Sequence, residues 1–185
     1  MKKIDLNNIF SDNPKIKFSC AKDALLISEE NPSQLYDNID FFIKLLSIEN
    51  KIIKWSAIKI IGNLSKVDSK NRIDNILPTF YSFLHDKTMI TASNTIYALG
   101  VIALNIPQFQ DEILTHFLEV ESIDYCAKGK ISPECRNVAI GQVIKSLSKF
   151  DKSVLIRKDV KSFLKRQTQN TRNSVRKSAE KLLSC

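Results

Sequence analysis

Two aromatic residues 37 positions apart, Phe18 and Trp55, are each followed four residues later by a lysine, Lys22 and Lys59. Four residues is close to one helical turn, so on a helix each ring shares a face with an ammonium group. Exposed rings beside cations make hot spots at protein interfaces and stacking platforms for nucleic-acid bases. The other use of both rings is as packing between neighbouring helices. A second set is purely basic. Arg157, Lys161 and Lys165 step by four and would share one helix face, while Lys177 and Lys181 repeat that step near the C-terminus, with Lys145 upstream. These groups bind; none of them is arranged for bond-making chemistry. The only histidines are His85 and His116, each beside an apolar helical pattern, and both read as structural. No H-E-x-x-H, paired Cys/His spacing or Gly-rich phosphate loop occurs. The expectation is therefore no catalytic residue, no metal and no cofactor.

The elements that carry these side chains repeat. Ile16, Ile53 and Ile90 are spaced by 37, as are Ile39, Ile76 and Ile113, and Asp12, Glu49 and Asp86. A fixed period of this length marks stacked helix pairs. Ile39, Ile43 and Leu46, like their counterparts one period on (Ile76, Phe80 and Phe83), run i, i+4, i+7, the face of a first helix A. Ile53, Ala57, Ile60, Ile61 and Leu64 give the buried stripe of a second helix B, with small Ala57 and Gly62 suited to close helix approach. Ser11-Asp12-Asn13-Pro14 supplies a cap and a proline suited to a first helical turn. Helix B of pair one is expected over about 14–29, pair two over 32–47 and 50–66, and pair three over 70–85 and 88–104. Pro78 should kink the third helix A. The fourth helix A spans about 108–121. Continuing the period from Ile90 places the next helix B at 127, but its pattern resumes at Cys135, an insertion of eight residues within 121–134. That segment is either a freely varying loop or a lining of a binding face. A basic helix pair at about 151–185 closes the chain.

Of the net charge of +8, residues 1–150 contribute +1 and residues 151–185 contribute +7. A basic face of this kind draws phosphates or acidic protein surfaces. No apolar run approaches ~18 residues, so no membrane span is expected. The N-terminus lacks a signal-peptide core, and Cys20, Cys126, Cys135 and Cys185 are widely spaced, which together point to a reduced cytoplasmic protein with free thiols.

The segments Asn13 through Ala21 and Glu49 through Ala57, each an acidic or Asn turn, an aliphatic–basic pair and then small residues, resemble the helix-B opening of HEAT repeats. Asp86–Ala98, Cys135–Val143 and Val175–Leu183 match less completely. The resemblance covers the whole chain. It implies an all-α fold, a right-handed α-α superhelix of about five antiparallel helix pairs forming one domain over 1–185, with helices B on the concave face. It also implies a ladder pairing Asp12 with Lys17 and Glu49 with Lys54, and a structural role for Arg176.

The function expected is a non-catalytic scaffold that binds another protein or peptide, an acidic one suiting the charge, through Phe18, Lys22, Trp55 and Lys59 and the lysines of the same stripe. The alternative is nucleic-acid binding along Lys22, Lys59, Lys145, Lys177 and Lys181. A DNA-glycosylase-like enzyme shares the fold pattern and charge, but such chemistry requires a carboxylate facing an aromatic cleft, and Lys59 stands four after Trp55. A bilin-lyase-like role shares the architecture without residue support. Oligomeric state does not follow from the sequence.

Overall fold

The computed structural model describes residues 4–184; Cys185 and its thiol lie outside them. The fold class is all-α, a helical-repeat fold built from antiparallel helix pairs. The described residues divide into two compact units, one ending at Leu77 and the other beginning at Pro78.

In the first unit, a 3-10 turn (Leu6–Phe10) precedes helix α1 (Pro14–Glu30), and α2 (Ser33–Tyr36), α3 (Ile39–Lys44) and a 3-10 turn (Leu45–Ser47) precede helix α4 (Lys51–Leu64). The expected helix over 32–47 is thus broken, and α2 and α3 are its two pieces. Asn13 and Asn50 cap α1 and α4 as their side chains suggest: the Asn13 carboxamide accepts from the Lys15 N–H, and that of Asn50 from those of Ile52 and Ile53. Helix α1 packs on α4, and α3 packs on α4. Ile53, Ala57, Ile58, Ile60, Ile61 and Leu64 are buried on α4, so that helix is apolar on nearly every side but the one carrying Trp55 and Lys59.

The second unit opens at Pro78, the second residue of α5 (Leu77–Leu84). The kink expected there is not formed. The helix starts one residue before the proline instead, after a separate 3-10 turn (Asp74–Ile76), because the first turn of a helix needs no N–H from its residues. Helix α6 (Met89–Asn105) follows, then α7 (Gln110–Glu119), a hairpin of β1 (Cys126–Ala127) and β2 (Lys130–Ile131), and α8 (Pro133–Leu147). Two short pieces, α9 (Lys152–Leu155) and α10 (Lys158–Gln167), lead to α11 (Asn173–Leu183). Helix α6 packs on α7 and α8, α8 on α11, and α10 on α11. A Cβ placed on Gly100 of α6 would sit 2.8 Å from Ser146 Oγ and 2.9 Å from Ser146 Cβ on α8, so this crossing requires glycine.

The N-caps of the second helices stand at Asn13, Asn50, Thr88, Ser132 and Arg172, giving steps of 37, 38, 44 and 40 residues. The register therefore breaks three times, not once: one residue enters before α6, seven before α8 and three before α11. The slip before α6 explains why Ile90 is 43% exposed whereas Ile53 is 1% exposed: the buried counterpart of Ile53 is Thr91. Asp86 is likewise two residues before its cap, where its carboxylate accepts the Thr88 N–H at 2.7 Å, while Asp12 and Glu49 adjoin theirs.

The seven-residue insertion is a docked hairpin, not a freely varying loop. Its turn residues Lys128 and Gly129 both have positive φ, 50° and 78°, as two-residue hairpin turns of the primed types demand. Tyr125 is fully buried and donates its hydroxyl to the Leu84 carbonyl at 2.9 Å; the Cys126 N–H donates to the Lys87 carbonyl at 2.9 Å. Three arginines hold its carboxylates. Arg166 binds Glu121, with Nη2 2.6 Å from Oε1; Arg136 Nη1 lies 3.1 Å from Asp124; and Arg172 pairs with Glu134.

Candidate functional site

Counting from each N-cap places the binding side chains without reference to the period. The fifth residue after the cap is Phe18, Trp55, Ser93, Asn137 and Lys177 in the five second helices; the ninth is Lys22, Lys59, Tyr97, Gly141 and Lys181. Lys177 and Lys181 thus hold on α11 the same positions after the cap that Phe18 and Lys22 hold on α1 and Trp55 and Lys59 on α4. The sequence reading missed Tyr97, which carries the same stripe on α6, because the one-residue slip moves it off the 37-residue grid. Lys149 Nζ lies 5.6 Å from the centre of the Tyr97 ring, within reach of a cation–π contact.

In the first unit the structure sets Phe18 and Lys22 on α1 and Trp55 and Lys59 on the helix packed against it. Both rings are half-buried, so each contributes packing and keeps part of its surface available; Lys22 is exposed and Lys59 half-buried.

In the second unit the stripe borders a groove of about 680 Å³ between α8 and α11. Lys145, Lys181 and Arg172 line it with Ser148, Ser174 and Ser178, and the side chain of Val175 forms part of its floor. Lys177 is exposed but is not part of this lining. Gly141 sets the groove's depth, since a Cβ there would lie 3.2 Å from Val175 Cγ2. Buried polar contacts hold α11 in place. Asn137 Nδ2 donates to Thr171 Oγ1 at 2.9 Å, and Asn170 Nδ2 donates to Asn137 Oδ1 at 3.1 Å. The groove can hold an extended or helical segment carrying carboxylates or phosphates, which the cations and hydroxyls would meet.

The face expected from Arg157, Lys161 and Lys165 is not assembled. Arg157 precedes α10 and is half-buried between Asp159, at 2.8 Å, and Asp111. Hydrogen bonding to Asp159 and then to Asp111 raises the Arg157 pKa, and the same bond holds the Asp159 carboxyl below its ordinary value. Lys161 and Lys165 remain exposed on α10. Arg176 donates to Asn173 at 2.9 Å within its own helix, and no ion pair joins Asp12 to Lys17 among the described residues. The ion pairs that join successive elements of the first unit, Lys70 with Asp37 and Arg72 with Asp40, lie outside the second helices.

His116 stacks on Tyr81 with ring centres 4.0 Å apart, and its Nδ1 lies 3.3 Å from Glu119 Oε2, while His85 is exposed at the end of α5. Among the described residues no group of three or more His, Cys, Asp or Glu could hold a metal ion, and no helix is long and apolar enough to cross a membrane. Cys20, Cys126 and Cys135 are free thiols; burial first, and then Asp23 and Asp5, push that of Cys20 up.

No protein-family model matches this chain, and no curated protein matches it. Among solved structures it is similar to an engineered protein from a structural genomics consortium, at 13% identity and a TM-score of 0.63 over 97% of this chain and 76% of that one. A second engineered protein from the same source matches at 14% identity and a TM-score of 0.55, over 100% of this chain and 98% of that one. A designed armadillo repeat protein, at 11% identity and a TM-score of 0.40, is too loose a likeness to bear on the fold. At such identities these likenesses concern the fold alone.

Proposed function

We propose that the protein is a non-catalytic, HEAT-like binding module that holds another protein or peptide, acidic in character, along the stripe of its second helices. The observation that carries this reading is the α8–α11 groove, where Lys145 and Lys181 stand beside serine hydroxyls over an apolar floor, the neighbouring Arg172 being paired with Glu134. Phe18 and Trp55 serve as aromatic anchors in the first unit, with Lys22 and Lys59 beside them, and Tyr97 and Lys177 hold the corresponding positions after their caps in the second. The test is fluorescence polarisation with a short Glu/Asp-rich peptide and a single-stranded oligonucleotide, on the natural protein and on Lys145→Glu/Lys181→Glu. Charge reversal should weaken peptide binding by about tenfold or more, the scale of losing close charge pairs. No peptide binding at about 50 mM salt would sink the reading.

The second reading is nucleic-acid binding. The observation in its favour is that Lys158, Lys161 and Lys165 are exposed on α10 and form no ion pair among the described residues. It wins if the oligonucleotide binds more tightly than the peptide and loses affinity steeply as salt rises.

A further inference from the structure

A groove of about 840 Å³ in the first unit lies along α1 on the flank away from Phe18 and Lys22. Ile16, Leu26 and Ile27 give it an apolar lining, and Ile16 and Leu26 are 45% and 43% exposed. Its ionisable margin is acidic: Asp5, Asp23 and Glu30 against a single cation, Lys15. That sign is opposite to the net +8 of the chain.

The next helix pair shows what fills such a space. Asn31 lines the groove, and the residue 37 further on is Asp68. There Tyr36 of α2 donates its hydroxyl to Asp68 Oδ1 at 2.6 Å and accepts the Lys70 N–H at 2.9 Å. Leu35, Tyr36 and Ile39 are all buried. The front half of a helix A thus occupies the second pair, whereas the described residues ahead of α1 form only the five-residue turn Leu6–Phe10. On helix B itself, Ile53, Ala57, Ile60 and Leu64 are buried on α4, and their counterparts Ile16, Cys20, Asp23 and Ile27 all line the groove.

The geometry points to a docking site for a basic amphipathic helix of a partner protein. Its apolar residues would take the i, i+1, i+4 spacing of Leu35, Tyr36 and Ile39, and its Lys or Arg residues would face Asp5, Asp23 and Glu30. This site is separate from the cationic groove of the second unit and selects the opposite charge.

The probe is this chain's own helix A as a stapled peptide, Ser33–Ser47, made with Asp37→Lys and Asp40→Lys and compared with the unsubstituted peptide. The lysine peptide should bind, and the unsubstituted one should bind about tenfold more weakly, the scale of reversing close charge pairs. Ile16→Ser should weaken the lysine peptide about tenfold by removing an apolar contact, and because Ile16 is already exposed the melting temperature should stay put. Asp23→Lys should invert the preference between the two peptides. Failure of both peptides to bind the folded protein overturns the proposal, as does equal binding that ignores Asp23→Lys. Concentration-dependent self-association abolished by Ile16→Ser would also overturn it, by assigning the groove to a second copy.

Discussion

The first helix pair and the junction before α8 each differ from the second helix pair, and the two differences are resolved in opposite ways. In the first helix pair the A element is a single 3-10 turn, and the flank of α1 that it leaves uncovered is an open groove with exposed Ile16 and Leu26. At the junction before α8, seven additional residues are present and nothing is left loose. Tyr125 is buried to the ring hydroxyl, and Glu121, Asp124 and Glu134 are each held by an arginine from a later element. Extra chain in a helical array can bring its own anchor. Where no described residue covers the flank of a helix, an apolar face stays open, and that face is where a partner has most to gain.

The largest effect should come from removing the anchor. Tyr125→Ala should cost about 3–5 kcal/mol, as for other large aromatic core truncations, seen as a drop in the urea midpoint. If the loss is below about 1 kcal/mol, typical of surface changes, the hairpin is not held by its tyrosine and the contrast fails. Next, Ile53→Ala should cost about 2–5 kcal/mol, whereas Ile16→Ala, at the same position after its cap, should cost within about 0.5 kcal/mol. Equal losses would mean that the groove is closed in solution. Gly100→Ala should cost about 1–3 kcal/mol by overpacking α6 against α8, and Ser146→Ala should not restore it, because Ser146 Cβ is itself 2.9 Å from the new methyl.

Tyr125→Phe leaves the packing and removes one buried hydrogen bond, a loss of about 1–2 kcal/mol. Burial raises the Tyr125 pKa above its ordinary 10.0. Its neutral form therefore contributes stability that is intact below pH 10 and falls away as pH rises beyond that, when the unfolded phenol ionises. The natural protein should lose stability more steeply than Tyr125→Phe in alkaline titration by circular dichroism. Tyr36, raised by burial and then by Asp68, keeps part of the slope in both. The smallest effect is a gain. Lys128→Asn suits a positive φ better than lysine and should add about 0.5 kcal/mol, read from the melting temperature.

How much was legible varies by element. Helix α1 was readable almost to the residue, because Asn13-Pro14 is a cap followed by a proline and no other start competes nearby. Helix α6 was readable as a helix but not in register. Asp86 and Thr88 both have the side chains of a cap, and only the backbone shows that Asp86 caps a turn and Thr88 begins the helix. That single residue misplaced Ile90 and hid Tyr97. The hairpin was invisible because its turn is Lys-Gly, not Asn-Gly, so the usual signal was missing. The shared positions of Phe18, Trp55 and Lys177 along their helices were legible from spacing, whereas the pairing of Arg157 with Asp111 was not, since the partner is 46 residues away.

The sequence by itself determined that the chain is an array of helix pairs, which face of most helices is apolar, and that positive charge gathers at the C-terminal end. Those properties are local, set by periodicity, capping and composition. Tertiary structure alone decided which charges are spent and which apolar positions stay uncovered. Arg157, Arg166 and Arg172 are consumed by carboxylates 38–46 residues away, and Lys145 and Lys181 line one groove because Gly141 lets α11 approach α8. Ile16 and Ile53 carry the same side chain at the same helical position, yet one is buried and one is open. Burial depends on what packs against a residue, and no period along a single chain records that.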